Sequence, residues 1–418
     1  MAENPQSPFT TAERLALVEL VRDFTAEQIA PNLPAWEEAG ELPRTLHLAA
    51  GDLGLLGLSH AADVGGSGGT LVDVVLMTEQ VLAAGGSGGL VAALFTHGIA
   101  IPHVVDAAAR ARAAGDTATA ELLIDQIVRP TLAGRAITAL GVTEPDGGSD
   151  VAALRTAAVP IDADGAPASP DAAQAWRLNG AKAYITSGAR ADTVIVAARA
   201  FGAGAGGIAL FAVPTDAPGF NVMRRMAKMG WHCSDTAELS LVDVDVPAWR
   251  LLTPGPGLGF ASLARHFAVE RVSLAVTAYA TAQRCLDLTV NWVRHRQTFG
   301  RPLMDRQVVR HRLVEMHRLT DTARLYTRAL VVDLVAIGAN EASGGLPDTD
   351  LMLRAVLAKN TAVAACDAVV ADAVQLHGGY GFLQDAEVER HYRDAKVLGI
   401  GGGATEVMTD LAARLLGY

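Results

Sequence analysis

The spacing of apolar positions divides the chain into three stretches. Residues 1–138 follow a helical period. Leu15, Leu17, Leu20 and Val21 recur behind Thr10-Thr11-Ala12-Glu13, a capping-box pattern in which hydroxyl and carboxylate satisfy the free N–H groups of a first turn. Further helices are expected near 43–54, 70–84, 88–108 and 117–128. The runs GGSGGT (65–70) and GGSGG (85–89) read as tight turns rather than a phosphate cradle, because no strand precedes them.

The pattern changes near residue 139. WRLNGAKAYIT (176–186) carries Asn179-Gly180 between two short runs, the signal of a type I′ hairpin. TVIVAARA (193–200), GIALFAVP (207–214) and AELSLVDVDVP (237–247) read as strands, the last alternating as a half-buried strand should. Strands this close, with no helices between them, predict an antiparallel β domain. After Pro247 the period is helical again. Single long helices are expected over 258–295, 304–338 and 350–376, with a loop at 338–350. The expected fold is therefore α+β. It has an N-terminal helical domain (1–138), a central antiparallel β domain (139–248) and a C-terminal four-helix bundle (249–418).

A chain of 418 residues, half of them hydrophobic, is long enough for two or three domains. Its net charge of −11 leaves no basic stripe for a nucleic-acid backbone. Cys233, Cys285 and Cys366 form no metal-ligand spacing and no disulfide framework, so no metal is expected. No run reaches the ~18 apolar residues of a membrane span. The first residues lack the apolar core of a signal peptide. These features predict a cytoplasmic protein, and the excess of Arg over Lys points to a GC-rich bacterial genome.

Two stretches carry candidate chemistry. In RHFAVERVSLAV (265–276), Glu270 and Arg271 interrupt an apolar helix face. Read alone, this is a structural ion pair before it is a base with a supporting guanidinium. GVTEPDGGSD (141–150) sets Thr143 and Ser149 around a glycine-rich bend, which offers N–H groups and hydroxyls to a polar ligand; a plain turn explains the glycines and Asp150 equally well.

GVTEPDGGSD, AKAYITSG (181–188), MGWHCSDTAEL (229–239), RQTFGRPLMDRQ (296–307), AVQLHGGYGF (373–382) and RDAKVLGIGGGATEVM (393–408) together resemble the acyl-CoA dehydrogenase family, in the family's order and over most of the chain. The resemblance implies a helical–β–helical subunit with FAD at the domain junction, assembled as a homotetramer, a dimer of dimers. It puts Val142 and Thr143 by the flavin ring, with Gly148 and Ser149 near the cofactor phosphates and the acyl thioester. Tyr184, Ile185 and Thr186 flank the flavin, and Tyr184 stands where the family commonly has Trp. Arg296, Thr298, Phe299 and Gln307 match a segment that reaches the FAD of a neighbouring subunit. Gln375, Leu376, Gly378 and Gly379 match a segment beside its adenosine end.

The C-terminal motif departs from one large branch of the family. That branch has its catalytic glutamate where this chain has Gly402. Ala404 replaces a common cofactor-contacting Thr, and Glu406, in the same cofactor segment, is off the matching position and expected to face solvent. In the branch that includes isovaleryl-CoA and long-chain acyl-CoA dehydrogenases, the base comes from a helix and directly precedes an arginine. Glu270-Arg271 matches that arrangement, and Gly401, Gly402 and Gly403 match the same branch.

The resemblance thus implies α,β-dehydrogenation of an acyl-CoA, with Glu270 as base, Arg271 and the 401–403 loop at the substrate, and electrons passed to an electron-transfer flavoprotein. The side-chain-free Gly401 and Gly402 imply room for a branched or bulky acyl group, and a long straight chain also fits. A carrier-protein thioester, an oxidase of the same fold and a non-catalytic assembly protein are the alternatives.

Overall fold

A computed structural model of the protein describes residues 8–338 and 348–418. Eight helices come first: α1 (Ala12–Phe24), α2 (Leu33–Ala39), α3 (Arg44–Asp52), α4 (Leu71–Ala83), α5 (Gly88–Leu94), α6 (Ile101–Ala113), α7 (Thr117–Leu123) and α8 (Arg129–Leu132). A seven-stranded sheet follows, made of β1 (Thr138–Gly141), β2 (Ala157–Ile161), β3 (Ala175–Thr186), β4 (Thr193–Arg199), β5 (Ile208–Pro214), β6 (Phe220–Arg225) and β7 (Thr236–Pro247). The C-terminal part holds α9 (Leu258–His295), a small hairpin of β8 (Gln297–Thr298) and β9 (Arg301–Pro302), then α10 (Gln307–Ala336), α11 (Thr349–His377), α12 (Glu387–Ala395) and α13 (Thr405–Leu416). No helix among the described residues is long and apolar enough to cross a membrane.

The sheet runs β1-β4-β2-β3-β7-β6, with β5 paired to β4. It is antiparallel except where β4 lies parallel to β1 and, at one residue pair, to β2. The Asn179-Gly180 pair does not make a hairpin. β3 runs unbroken for 12 residues, and the pair marks a register shift against β7. Asn179 spends its amide across the strands, donating to Asp243 and accepting from the Asp243 N–H, both at 2.9 Å. Gly180 is needed there because a Cβ would sit 2.7 Å from the Cα of Thr156. A turn signal thus serves as a bulge, since both edges of β3 are already paired, with β2 and β7.

Other expectations shift at their edges. The helix expected over 88–108 is two helices. Pro102 has no N–H to give and is accommodated only in a first turn, so α6 begins at Ile101 after a short 3-10 turn. The cap of α1 is Thr11 rather than Thr10, while a full capping box forms at Thr70 and Asp73. α10 starts at Gln307 because a 3-10 turn occupies Leu303–Asp305. Most of the loop expected at 338–350 lies outside the described residues.

Two buried polar networks fix the parts that matter for the site. Lys182, fully buried on β3, donates to Glu144 at 2.9 Å and to the carbonyl of Val142 at 3.1 Å. Glu144 also accepts from the N–H groups of Arg155 and Thr156. Burial alone would raise the Glu144 carboxyl, but Lys182 and those N–H groups outweigh it and hold the pKa at about 2. Burial brings the Lys182 ammonium down to about 8 despite its partner, so both remain charged at neutral pH. The second network is built on Asp394 of α12, which accepts from the N–H groups of Trp231 (2.6 Å) and Gly89 (3.2 Å). It joins the first helical part, the β6–β7 loop and the bundle.

Glu144 binds its proton more weakly folded than unfolded, so its contribution is complete above about pH 4.5 and fades as pH falls toward 2. Glu144→Gln leaves the Lys182 ammonium buried without a counter-charge. It is expected to cost about 3–5 kcal/mol at pH 7. The gap to the parent should close as pH falls through that window, read from melting temperatures at pH 7 and pH 3. A gap independent of pH would remove the pair from this role.

Candidate active site

Glu270 and Arg271 lie in the first half of the 38-residue α9. Adjacent residues on a helix point about 100° apart and do not face each other. Accordingly, no hydrogen bond or ion pair joins these two, and the Nε of buried Arg271 has no partner among the described residues. The ion-pair reading suggested by the stretch alone is therefore not the arrangement in the fold. Burial raises the Glu270 carboxyl above its ordinary value, and the positive charges of Arg271 and Lys359 offset this only in part. The result is a carboxylate without a bonded cation.

The loop after α12 comes to this carboxylate. A Cβ placed on Gly402 would lie 3.4 Å from Glu270 Oε1 and 2.3 Å from Leu274 Cδ1. The two positions that resemblance offers for a base, far apart in sequence, are therefore neighbours in space. Gly402 and Gly403 both have positive φ, +62° and +96°, which turns the chain sharply here. Neither N–H has a partner among the described residues, unlike those of Ile400 and Gly401, which both donate to Val397. The turn that carries these two donors thus comes to the carboxylate at Gly402.

The same geometry corrects the expectation of added room at Gly402. The space its side chain would take is already filled by Leu274 and Glu270. Gly401 is less confined, its Cβ meeting only the Val397 carbonyl at 3.5 Å. Ala404 ends the loop, and Glu406 is exposed in the first turn of α13, as expected.

The remaining site residues fall in two groups. Val142, Thr143, Gly148 and Ser149 form a bend braced by the Lys182–Glu144 pair and by Ala183 N–H donating to Thr143 O at 2.9 Å. Val142 packs into the same cluster as Phe267, three residues before Glu270. Tyr184 is exposed with φ +59°, and Thr186 is half-buried two residues on. Ile185 turns into the sheet core, so only its backbone is available to a ligand.

The second group sits at the far end of α9. Arg296, Thr298 and Phe299 belong to the small hairpin, and Gln307 opens α10. Trp292 stacks on His377 and Tyr380, at 5.0 and 5.1 Å, and the guanidinium of Arg296 lies 6.0 Å above Trp292. That stack brings Gln375, Leu376, Gly378 and Gly379 to the hairpin. The surface there suits a bound molecule. Phe299 is 98% exposed, Trp292 Nε1 is buried without a partner among the described residues, and a Cβ on Gly378 or Gly379 would meet nothing within 4 Å. Twenty-six residues of helix, about 39 Å, separate this group from Glu270.

Sequence reasoning missed Lys359, Leu274 and the braces at Lys182 and Asp394. Lys359 had a signal: it is one of four lysines in the chain and stands alone in the apolar run RAVLAKNTAVAA.

Comparison with known proteins gives the family of the chain. Profiles of the acyl-CoA dehydrogenase N-terminal, middle and C-terminal domains match residues 11–114, 139–244 and 257–417. The long-chain specific acyl-CoA dehydrogenase of Sus scrofa mitochondria is 33% identical over 400 residues, 95% of this chain and 84% of that protein. A putative acyl-CoA dehydrogenase from Mycobacterium smegmatis superposes with a TM-score of 0.88 at 50% identity, covering 98% of this chain and 99% of that one. A glutaryl-CoA dehydrogenase from the same organism, in complex with FADH2, superposes with a TM-score of 0.82 at 25% identity, over 98% of this chain and 95% of that one. With all three domains matched in order along its length, the chain belongs to the acyl-CoA dehydrogenase family, oxidoreductases that act on a carbon–carbon single bond.

Proposed function

We propose that the protein holds FAD and desaturates an acyl-CoA between Cα and Cβ, with Glu270 as the base and an electron-transfer flavoprotein as acceptor. The observation that carries this reading is the unpaired carboxylate of Glu270 beside the turn at Gly402, whose N–H and that of Gly403 have no partner among the described residues. A thioester carbonyl accepting from that loop gains stabilisation for the negative charge that develops when the α-proton leaves. Glu270 takes that proton, and its raised pKa makes it a better base than an exposed carboxylate. Cα and Cβ then share a double bond. FAD, when bound, supplies the acceptor for the hydride from Cβ.

Val142, Thr143, Ser149, Tyr184 and Thr186 are the residues that would hold the flavin end. Arg296, Phe299, Gln307 and the 375–379 segment are too far along α9 to serve the same ring in the same subunit. They fit the adenosine end of a neighbour's FAD, which argues for the tetramer. Likeness to a long-chain specific enzyme supports a long acyl chain, and the filled space at Gly402 argues against extra breadth at Cα.

Anaerobic mixing with isovaleryl-, octanoyl- and palmitoyl-CoA tests this reading, with bleaching of the flavin expected for at least one. Glu270→Gln is expected to slow that bleaching by about 10²–10⁴-fold while keeping FAD. Its melting temperature should hold or rise, since no bonded partner is lost. A variant that bleaches at the parental rate would refute the base assignment. The rate for the parent should climb with pH through a limb above the ordinary carboxyl value of 4.5, because only ionised Glu270 can accept the proton.

Arg296→Ala should release FAD on dialysis. Arg296→Lys should do so in part, because an ammonium cannot replace the two-pronged guanidinium. Light scattering and visible absorbance report the two properties together. Full FAD retention by a monomeric protein would contradict the shared-site reading.

A further inference from the structure

Lys359 is fully buried on α11, in the middle of an apolar face. Its ammonium donates to the carbonyl of Gly401 at 2.8 Å and to that of Gly403. These carbonyls flank the two N–H groups that are free to meet a thioester. A carbonyl and the N–H of the next residue share one peptide plane, so the Gly401 carbonyl fixes the Gly402 N–H, and the Gly403 carbonyl fixes the plane that follows the Gly403 N–H. Lys359 therefore sets the direction of the Gly402 N–H and confines the Gly403 N–H between two held peptide planes.

We propose that Lys359 is the positioning residue of the thioester-binding loop: it clamps the Gly401 and Gly403 carbonyls so that the intervening N–H groups face the substrate, and it places a positive charge beside Glu270. The inference rests on the acyl-CoA reading for its substrate, but the clamp is a property of the chain itself. Two positive-φ glycines give the loop little stiffness of its own, so an external anchor is required. The charged groups that face Lys359 are Glu270 and Arg271, both from α9; the loop from 399 to 404 contributes none. Burial lowers the ammonium to about 8, with Glu270 opposing the shift, so Lys359 is charged at neutral pH.

Lys359→Met keeps the length and apolar stem of the side chain and removes the donors and the charge; Lys359→Arg keeps both but alters the reach. Amide hydrogen exchange of the FAD-loaded protein, followed on the peptide over 397–408, reads the clamp without turnover. Exchange in that peptide should quicken at least tenfold in Lys359→Met and be largely restored in Lys359→Arg. Flavin reduction by the fastest of isovaleryl-, octanoyl- and palmitoyl-CoA should slow at least tenfold in Lys359→Met. Its acid limb should move to higher pH, since Glu270 loses a neighbouring positive charge. Unchanged exchange over 397–408 would overturn the clamp. A lower melting temperature with parental rate and an unmoved acid limb would reduce Lys359 to a packing residue. If none of the thioesters bleaches the parent flavin, the acyl-CoA reading fails, and the exchange comparison still decides the clamp.

Discussion

The position of one helix governs the rest of this molecule. α9 carries Glu270, and every other part of the subunit is tied to it. At its start, Gly259 presses so closely on β5 that a Cβ would lie 2.3 Å from the Ile208 carbonyl. One and two turns before Glu270, His266 and Ser262 reach across to α6, binding Asp106 at 2.9 Å and His103 at 2.7 Å. Beyond it, the Tyr279 hydroxyl donates to Glu79 of α4 at 2.6 Å. Arg284 then joins α12 through Glu387 and the end of α4 through the Ala83 carbonyl. A helix pinned at so many heights cannot slide or roll without breaking buried polar bonds. Apolar packing alone permits such slippage, because its energy depends weakly on direction.

The electrostatic design separates scaffold from chemistry. Scaffold acids are given close, bonded partners: Glu144 has Lys182 and two N–H groups, and Glu387 has Arg284 and His391. Their charges are settled. Glu270 is near two cations and bonded to neither. A carboxylate saturated by hydrogen bonds is a poor base, since each donor stabilises the ionised form. Leaving Glu270 unbonded keeps its affinity for a proton, and the nearby cations limit the cost of burying its charge.

Much of this was legible in the chain, for reasons tied to particular residues. The 38-residue period of α9 is long enough to survive local noise, so its ends are readable to the residue. Glycine at 402, where one branch of the family has a carboxylate, and Glu270-Arg271 drew attention to two positions far apart in the chain, and the structure makes them neighbours. What stayed illegible were signals with two physical meanings. Asn179-Gly180 suits a tight turn or a bulge, and only the partner strands choose between them. Glu270-Arg271 looks like a pair in one dimension but diverges around the helix axis. Lys359 stood out as a rare lysine in an apolar run, but its role was hidden because its partners are carbonyls, which every residue carries and no sequence pattern displays. The absence of a side chain at Gly402 suggested space, whereas Leu274, one turn beyond Glu270, fills it.

That filled space constrains how a base can change position. The carboxylate can stand at 270 or at 402, but the two sites claim one volume. A carboxylate added at Gly402 while Glu270 remains would strike Leu274, adopt a strained backbone and set two negative charges side by side. A carboxylate moved from 270 to 402 would therefore also ask the Leu274 side chain to shift and the backbone at 402 to accept a strained conformation. The two placements compete for one small volume, so the residue at 274 is part of the choice between them.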